Sequence, residues 1–201
     1  MEPTRDQAWE LFCEWTDSDS LRKHALAVEA CMVAYAGFWG EDPEPYAVTG
    51  LVHDLDYERH PDLETGHPRV AMAELEKLGY PKDVIDAVAG HAPYLGVPRE
   101  TTMAKTLFAV DELSGFVGAC ALVRPTGIEG MKVKSVRKKL KQPSFAAKVD
   151  RGEIAQAIEE LGVDETEHIQ RVIDALAADA ETLGLSPGDA GGDSAPAPSD
   201  A

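Results

Sequence analysis

Residues 100–123, with the sequence ETTMAKTLFAVDELSGFVGACALV, form the most apolar helical pattern of the chain. Apolar side chains recur there at intervals of three or four residues, which is the spacing of one face of an α-helix. The same period recurs through most of the chain, whereas sustained period-two alternation and Asn-Gly or Asp-Gly hairpin turns do not occur. The sequence therefore predicts an all-α fold.

The helical segments are separated by breaks at proline, at glycine and at clusters of Asp and Ser. Helices are predicted at about residues 4–16, 19–38, 43–54, 68–79, 81–91, 100–123, 133–140, 151–161 and 165–183. We expect one domain over residues 1–185, with a core at about 20–125 and a C-terminal helical extension at 126–185. Residues 186–201 contain only Gly, Ala, Ser, Pro and Asp, so we expect a disordered tail there.

The chain is strongly acidic, because 36 Asp and Glu stand against 19 Lys and Arg, and its net charge is −17. A field this negative argues against general binding of nucleic-acid polymers or of anionic lipid surfaces. No apolar run approaches the roughly 20 residues of a membrane helix, and the N-terminus lacks a signal-peptide pattern. The three cysteines, Cys13, Cys31 and Cys120, are widely spaced in apolar contexts and are expected to be buried thiols. We therefore expect a cytoplasmic protein without a membrane partner.

A basic segment interrupts this acidic chain between residues 131 and 149, where no acidic residue occurs. Its seven basic residues are Lys132, Lys134, Arg137, Lys138, Lys139, Lys141 and Lys148. One interpretation is the solvated face of an amphipathic helix. The other is an anion-binding wall that concentrates a phosphorylated small-molecule substrate, with Arg124, Lys134 and Arg137 as the candidate substrate-binding residues.

Histidine and aspartate occupy positions where the helical pattern calls for apolar side chains. His24, His91 and Asp111 each lie on the apolar face of a predicted helix, and His53-Asp54 ends another apolar helix. An unpaired carboxylate or imidazole on such a face costs several kcal/mol of desolvation. A shared metal site explains these residues together, and imidazole and carboxylate ligands suit Fe, Mn, Co, Ni or Zn.

The order of these residues resembles a known superfamily. The dyad His53-Asp54 in the segment LVHDLDY, with His24 upstream and Asp111 downstream, resembles the HD-domain superfamily of metal-dependent phosphohydrolases over about residues 20–125. The resemblance implies an HD-domain helical bundle. In that superfamily the four corresponding side chains bind one metal ion.

The resemblance extends to a branch of the superfamily that binds two metal ions. His67 and His91 follow the dyad in the order that this branch shows, which implies that they bind a second ion and that Asp54 bridges the two. His67 has an alternative role as the cap of the helix that follows it. The implied cofactor is one or two divalent transition metals.

The implied function is a phosphohydrolase that cleaves a phosphate mono- or diester of a small molecule, most commonly a nucleotide, by a metal-activated hydroxide. Asp54 is then a catalytic residue as well as a ligand. Asp56 and Glu58 are expected to accept protons or to hydrogen-bond to a metal ligand, unless they form a solvated acidic loop. Many members follow the dyad with a small and then a basic residue, whereas this chain has Asp56 and Tyr57, so a phosphate-facing lysine is missing.

Two other functions fit the same ligand set. Di-iron oxygenases such as myo-inositol oxygenase use it to activate oxygen, and a non-catalytic HD module would use it to sense a nucleotide or a metal. Of the remaining histidines, His60 is expected to be solvated or to face substrate, and His168 is expected to lie on a surface-like helix without a role. The sequence does not decide the oligomeric state.

Overall fold

Ten α-helices make up the regular structure of residues 3–188, which are the residues that the computed structural model describes, together with a short 3-10 helix at Pro93–Leu95. The helices are α1 (Arg5–Trp15), α2 (Asp19–Trp39), α3 (Pro43–Val52), α4 (Arg69–Leu78), α5 (Lys82–His91), α6 (Thr102–Leu122), α7 (Val133–Leu140), α8 (Arg151–Leu161), α9 (Glu165–Ala178) and α10 (Ala180–Leu183). No strand occurs in this part of the chain, and the all-α prediction is confirmed. Of the predicted disordered tail, residues 186–188 form a bend and a turn, and residues 189–201 lie outside the described residues.

The helix boundaries follow local capping chemistry that is visible in the sequence. Ser18, Asp42 and Thr101 each accept a hydrogen bond from a backbone N–H in the first turn of α2, α3 and α6, respectively. The predicted last helix is divided, because α9 ends at Ala178 and α10 begins after Asp179, whose backbone leaves the helical conformation. No helix among residues 3–188 is both long and apolar enough to cross a bilayer.

The two 21-residue helices α2 and α6 pack against each other and form the centre of the bundle. Helix α3 packs on α2, α5 packs on α6, and α9 contacts both central helices. Between them lies a core of large apolar side chains that includes Phe12, Met32, Leu51, Leu107 and Phe116. This arrangement brings the middle of α6 beside the first half of α2 and the C-terminal end of α3.

A glycine sets the close approach of α3 to α2. A Cβ atom on Gly50 would lie 2.8 Å from the Cα atom of Glu29 and 2.9 Å from its backbone nitrogen, so only glycine fits without movement of a helix. Because Gly50 lies in the last turn of α3, this contact fixes where the residues that follow α3 meet α2.

We predict that Gly50→Ala lowers the free energy of unfolding by about 1–3 kcal/mol, since backbone atoms must move to admit the methyl group. The matched control is Gly37→Ala, at an exposed site on α2 where nothing lies within 4 Å of the added Cβ. That change should raise stability by about 0.5–1 kcal/mol through helix propensity. Urea unfolding measures both, and equal effects of the two substitutions would contradict the close-packing argument.

His168 is buried, so the expectation that it lies on a surface-like helix is wrong. It shares one face of α9 with Val172 and Ala175, and the pattern of acidic neighbours in the sequence obscured this face. The hydroxyl of Tyr35 donates to His168 Nδ1 at 2.5 Å, and His168 Nε2 donates to the backbone carbonyl of Ala109 at 3.0 Å. His168 thereby connects α9 to α2 and α6.

This buried histidine predicts a pH dependence of stability for the metal-free protein. Burial, with a smaller contribution from Arg171, lowers the pKa of His168 to about 4, although the hydrogen bond to Ala109 opposes it. The unfolded chain takes up this proton near pH 6.5. The contribution of neutral His168 to the free energy of unfolding is therefore complete above that pH, and it falls by about 3 kcal/mol as the pH approaches 4. Urea unfolding of His168→Gln should show a shallower loss of stability over this range than wild type.

The control for this experiment is His60→Gln, which removes an exposed histidine. Its stability should follow the same pH curve as wild type. Parallel curves for His168→Gln and wild type would show that another group causes the acid sensitivity.

Candidate metal centre

Three side chains from α2, α3 and α6 meet to form the first half of the centre. They are His24 of α2, His53 at the end of α3 and Asp111 in the middle of α6, and their ligand atoms all lie within 4.8 Å of one another. His24 Nε2 is 3.0 Å from Asp111 Oδ1, and His53 Nε2 is 3.5 Å from the same oxygen. We call this group the α6 half of the centre.

A second group lies on the other side of the dyad. His67, in the loop before α4, and His91, at the end of α5, place their Nε2 atoms 3.2 Å apart. Asp54 Oδ1 lies 3.6 Å from His67 Nε2 and 3.5 Å from His91 Nε2. We call Asp54, His67 and His91 the α5 half of the centre.

The carboxylate of Asp54 faces both halves at once. Its Oδ2 atom is 3.4 Å from His53 Nε2 and 3.8 Å from His24 Nε2, while Oδ1 faces the other two imidazoles. A carboxylate with one oxygen toward each of two groups of imidazoles has the geometry needed to bridge two ions. All six side chains that the resemblance implies as ligands therefore converge.

Hydrogen bonds fix the orientation of three of the imidazoles. His53 Nδ1 donates to the carbonyl of Gly50 at 2.8 Å, and His91 Nδ1 donates to the carbonyl of Val88 at 2.5 Å. His67 Nδ1 donates instead to Asp56 Oδ1 at 2.8 Å. With a proton on Nδ1, each ring directs its Nε2 atom toward the centre, where the Nε2 lone pair is available to a metal ion once that nitrogen is deprotonated.

A buried atom without a partner shows that these residues fit a metal ion. His53 is fully buried, and its Nε2 atom has no hydrogen-bond partner in this structure. A buried nitrogen without a hydrogen bond costs free energy, and a metal ion is the partner that an imidazole nitrogen among carboxylates suits best. The donor set of imidazoles and carboxylates fits a divalent transition metal.

The electrostatics of the centre are those of closely coupled opposite charges. Burial disfavours the charged imidazole of His53, but the carboxylates of Asp54 and Asp111 outweigh it and raise the pKa of His53 well above its ordinary value. Burial likewise opposes ionisation of the two carboxylates, yet the neighbouring histidines, His53 foremost, hold the pKa of each below its ordinary value. Both carboxylates are therefore anionic at neutral pH and available as ligands.

The two acidic residues expected to be catalytic lie in different environments. Asp56 is fully buried. Its Oδ1 atom accepts from His67 Nδ1, and its Oδ2 atom accepts from the backbone N–H of Ala71. It is a partner of a candidate ligand and is not solvated. The Oε2 atom of Glu58 instead accepts from the backbone N–H groups of Asp17 and Ser18 just before α2.

Of the three basic residues expected to bind substrate, Lys134 and Arg137 belong to the C-terminal extension and Arg124 lies just after α6. Arg137 of α7 pairs with Glu165 and donates to Thr166 at the start of α9. Arg124 donates to the backbone carbonyl of Glu129, and Lys134 is exposed on α7. The structure gives the two arginines these local partners and does not bring them into contact with the histidine cluster.

Sequence reasoning missed a tyrosine at the edge of the centre. The 3-10 helix that begins at Pro93 turns the chain back after His91, and the hydroxyl of Tyr94 donates to the backbone carbonyl of His67 at 2.8 Å. Burial of the hydroxyl raises the pKa of Tyr94 to about 12, so it stays neutral, while 48% of the residue is exposed. The Pro-Tyr pair soon after a candidate ligand was the available signal.

Glu153 of α8 is a second residue that the sequence did not single out. Burial raises its pKa, and the charges of Asp150 and Asp111 add to this effect. Glu153 therefore lies within the electrostatic range of the α6 half of the centre. Nothing in its local sequence marks it, because the approach of α8 to α6 is a tertiary contact.

Comparison with known proteins agrees with this geometry. Residues 21–115 match the family model described as HD domain. This part of the chain is an HD domain. The match begins near the start of α2 and ends within α6, so it contains all six side chains of the centre. HD domains bind divalent metal ions and belong to a superfamily of metal-dependent phosphohydrolases.

Two similar relatives are both named Ribonuclease Y. The protein of Oleidesulfovibrio alaskensis is 30% identical over 98 residues, which cover 49% of this chain and 18% of the relative. The protein of Thermus thermophilus is 29% identical over 103 residues, which cover 51% of this chain and 16% of the relative. The chain thus matches less than a fifth of the length of these relatives. No solved structure matches the chain.

Proposed function

We propose that this protein is a phosphohydrolase with two divalent metal ions, which cleaves a phosphate mono- or diester of a small molecule. The observation that carries the proposal is the placement of Asp54, with one carboxylate oxygen toward each half of a six-residue centre. His24, His53, Asp54 and Asp111 would hold one ion, and Asp54, His67 and His91 would hold the other. Sites with two ions are common among enzymes that cleave phosphate esters.

The side chains of the centre prepare it for this chemistry. A bound divalent ion supplies a water of lowered pKa as nucleophile and polarises a phosphoryl oxygen. The donated Nδ1 protons of His53, His67 and His91 keep their Nε2 lone pairs directed inward, so no ring must reorient when the site is loaded. The His53 ring is fully buried, and we propose that substrate approaches from the side on which Tyr94 is exposed.

We propose a nucleotide as the substrate, on the basis of Tyr94. Its half-exposed ring is held beside His67 by the bond from its hydroxyl, and an exposed aromatic ring offers a stacking surface for a nucleobase. The relatives named Ribonuclease Y support cleavage of a phosphate ester of a nucleotide unit. We favour a small molecule over RNA because the chain carries a net charge of −17.

We place this activity in the cytoplasm. Cys13, Cys31 and Cys120 are all free thiols, and Cys31 and Cys120 are buried. The absence of disulfides among these three cysteines supports a reducing compartment.

The first experiment measures the metal content of wild type and Asp54→Ala by mass spectrometry after purification without oxygen, together with phosphate release. We expect about two ions per wild-type chain and near none in Asp54→Ala. The metal-free variant should also fail to release phosphate from nucleotides. The reason is that Asp54 is the carboxylate common to both halves. The control is Asp86→Ala, which removes an exposed carboxylate paired with Lys82 and should retain both ions.

Three outcomes would contradict this proposal. Metal-free wild type, even after incubation with manganese, iron, cobalt or nickel, would overturn the enzyme function. One ion per chain would overturn the two-ion centre. Consumption of oxygen by the iron-loaded protein without phosphate release would replace hydrolysis by oxygenase chemistry.

The nucleotide proposal predicts a substrate-dependent effect of Tyr94→Leu. The change should raise KM for a nucleoside monophosphate roughly tenfold, because base stacking on an aromatic ring is lost. KM for glycerol phosphate, which has no base, should change little. Tyr94→Phe keeps the ring and removes only the bond to His67, so it should retain most of the affinity for the nucleotide.

Steady-state kinetics with these two substrates and a short RNA measures the effect. An equal rise of KM for both small substrates in Tyr94→Leu would show that Tyr94 shapes the site without contacting a base. A much higher kcat/KM for the RNA than for the nucleotide would contradict the small-molecule assignment.

A further inference from the structure

We propose that Asp56 is a positioning residue that makes the α5 half of the centre competent to hold its own metal ion. The inference rests on the proposed two-ion centre and adds a residue that contacts neither ion. Asp56 acts through His67, whose Nδ1 atom lies 2.8 Å from its Oδ1 atom.

Both oxygens of Asp56 are engaged and its position is fixed. Oδ1 accepts from His67 Nδ1, Oδ2 accepts from the backbone N–H of Ala71 at 2.7 Å, and the residue has no exposed surface. A buried carboxylate is costly unless hydrogen bonds and nearby positive charge compensate it. The N–H from the first turn of α4 and the imidazole of His67 are the compensating groups that the structure provides.

The three oriented imidazoles show why His67 needs this partner. His53 and His91 end helices, so the carbonyl three residues earlier, of Gly50 and Val88 respectively, is in place to accept from Nδ1. His67 lies in the loop before α4, where no helix precedes it and no helical carbonyl is available. Asp56 fills that role from a neighbouring turn with a carboxylate oxygen.

The carboxylate of Asp56 lies beside the half of the centre that contains fewer carboxylate oxygens, the α5 half. The α6 half contains the carboxylate of Asp111 in addition to Oδ2 of Asp54, whereas the α5 half contains Oδ1 of Asp54 and two imidazoles. A carboxylate hydrogen-bonded to a ligating histidine makes the imidazole a stronger ligand and adds negative charge close to the ion. Occupancy of the α5 half therefore depends on Asp56, whereas occupancy of the α6 half does not.

The test is a manganese titration of the full-length metal-free protein, wild type and Asp56→Asn, followed by calorimetry and electron paramagnetic resonance. Asparagine retains an oxygen that can accept from the N–H of Ala71, but it removes the carboxylate charge beside His67. We expect two ions in wild type. In Asp56→Asn, the first ion should bind as in wild type and the second 10- to 100-fold more weakly, with loss of the spin-coupled signal of an ion pair at two equivalents.

The matched control is Asp62→Asn, which removes the same charge from the same loop. Asp62 is exposed and its Oδ1 atom accepts from the backbone N–H groups of Glu64 and Thr65, so it contacts no candidate ligand. This variant should bind both ions with wild-type affinity. A similar weakening of the second ion in Asp62→Asn would show that loop charge alone causes the effect and would overturn the inference.

The remaining outcomes separate this inference from the proposed function. Two ions of unchanged affinity in Asp56→Asn, or equal weakening of both ions, would overturn the role of Asp56 and leave the two-ion centre intact. A single ion in wild type would overturn the two-ion centre itself.

A second measurement on wild type needs no variant to fold. In the zinc-loaded protein, nuclear magnetic resonance of the His67 ring should show a proton retained on Nδ1 and protected from exchange. A deprotonated or rapidly exchanging Nδ1 would contradict the bond to Asp56.

Discussion

The carboxylate of Asp54, enclosed by four imidazoles, is the interaction on which the rest of this structure depends. Its two oxygens lie between 3.4 and 3.8 Å from the Nε2 atoms of His24, His53, His67 and His91. Burial of this carboxylate and of Asp111 is unfavourable unless the surrounding groups compensate their charge. The histidines do so in this structure, and metal ions would do so more completely.

This requirement explains how the helices are arranged. The ligands come from five places in the chain, so α2, α6 and the ends of α3 and α5 must all reach one point. Gly50 permits the contact between α3 and α2, and Arg99 fixes the end of α5 by donating to the carbonyl of Gly90 while it pairs with Glu160 of α8. His168 performs a similar task on another part of α6 by accepting from Tyr35 and donating to Ala109. Buried polar contacts of this kind hold the helices in one arrangement because each is costly to leave unpaired.

Some residues of the basic segment 131–149 have partners within the C-terminal extension. Arg137 contacts Glu165 and Thr166, and Lys139 lies 4.2 Å from the centre of the Phe145 ring. These contacts tie α7 and the loop after it to neighbouring parts of the extension. In the proposed enzyme, the metal ions are then the main positive charge that attracts a phosphate group into an acidic protein.

The sequence by itself determined the fold class and the helices, because their period, caps and breaks are local properties. It also identified His24, His53, Asp54, His91 and Asp111, since polar residues in apolar helices stand out in the pattern. His67 was implied by the resemblance to the two-ion branch of the HD-domain superfamily. The tertiary structure alone decided that Asp54 faces two groups of imidazoles and that Asp56 supports His67 while Glu58 caps the start of α2. Asp56 and Glu58 are two residues apart in one acidic stretch, and only the folding of the loop onto α1, α2 and α4 gives them different partners. For the same reason the burial of His168 and the approach of Glu153 could not be read from the chain. The Pro-Tyr pair marked Tyr94, but its contact with the carbonyl of His67 is a result of the tertiary structure.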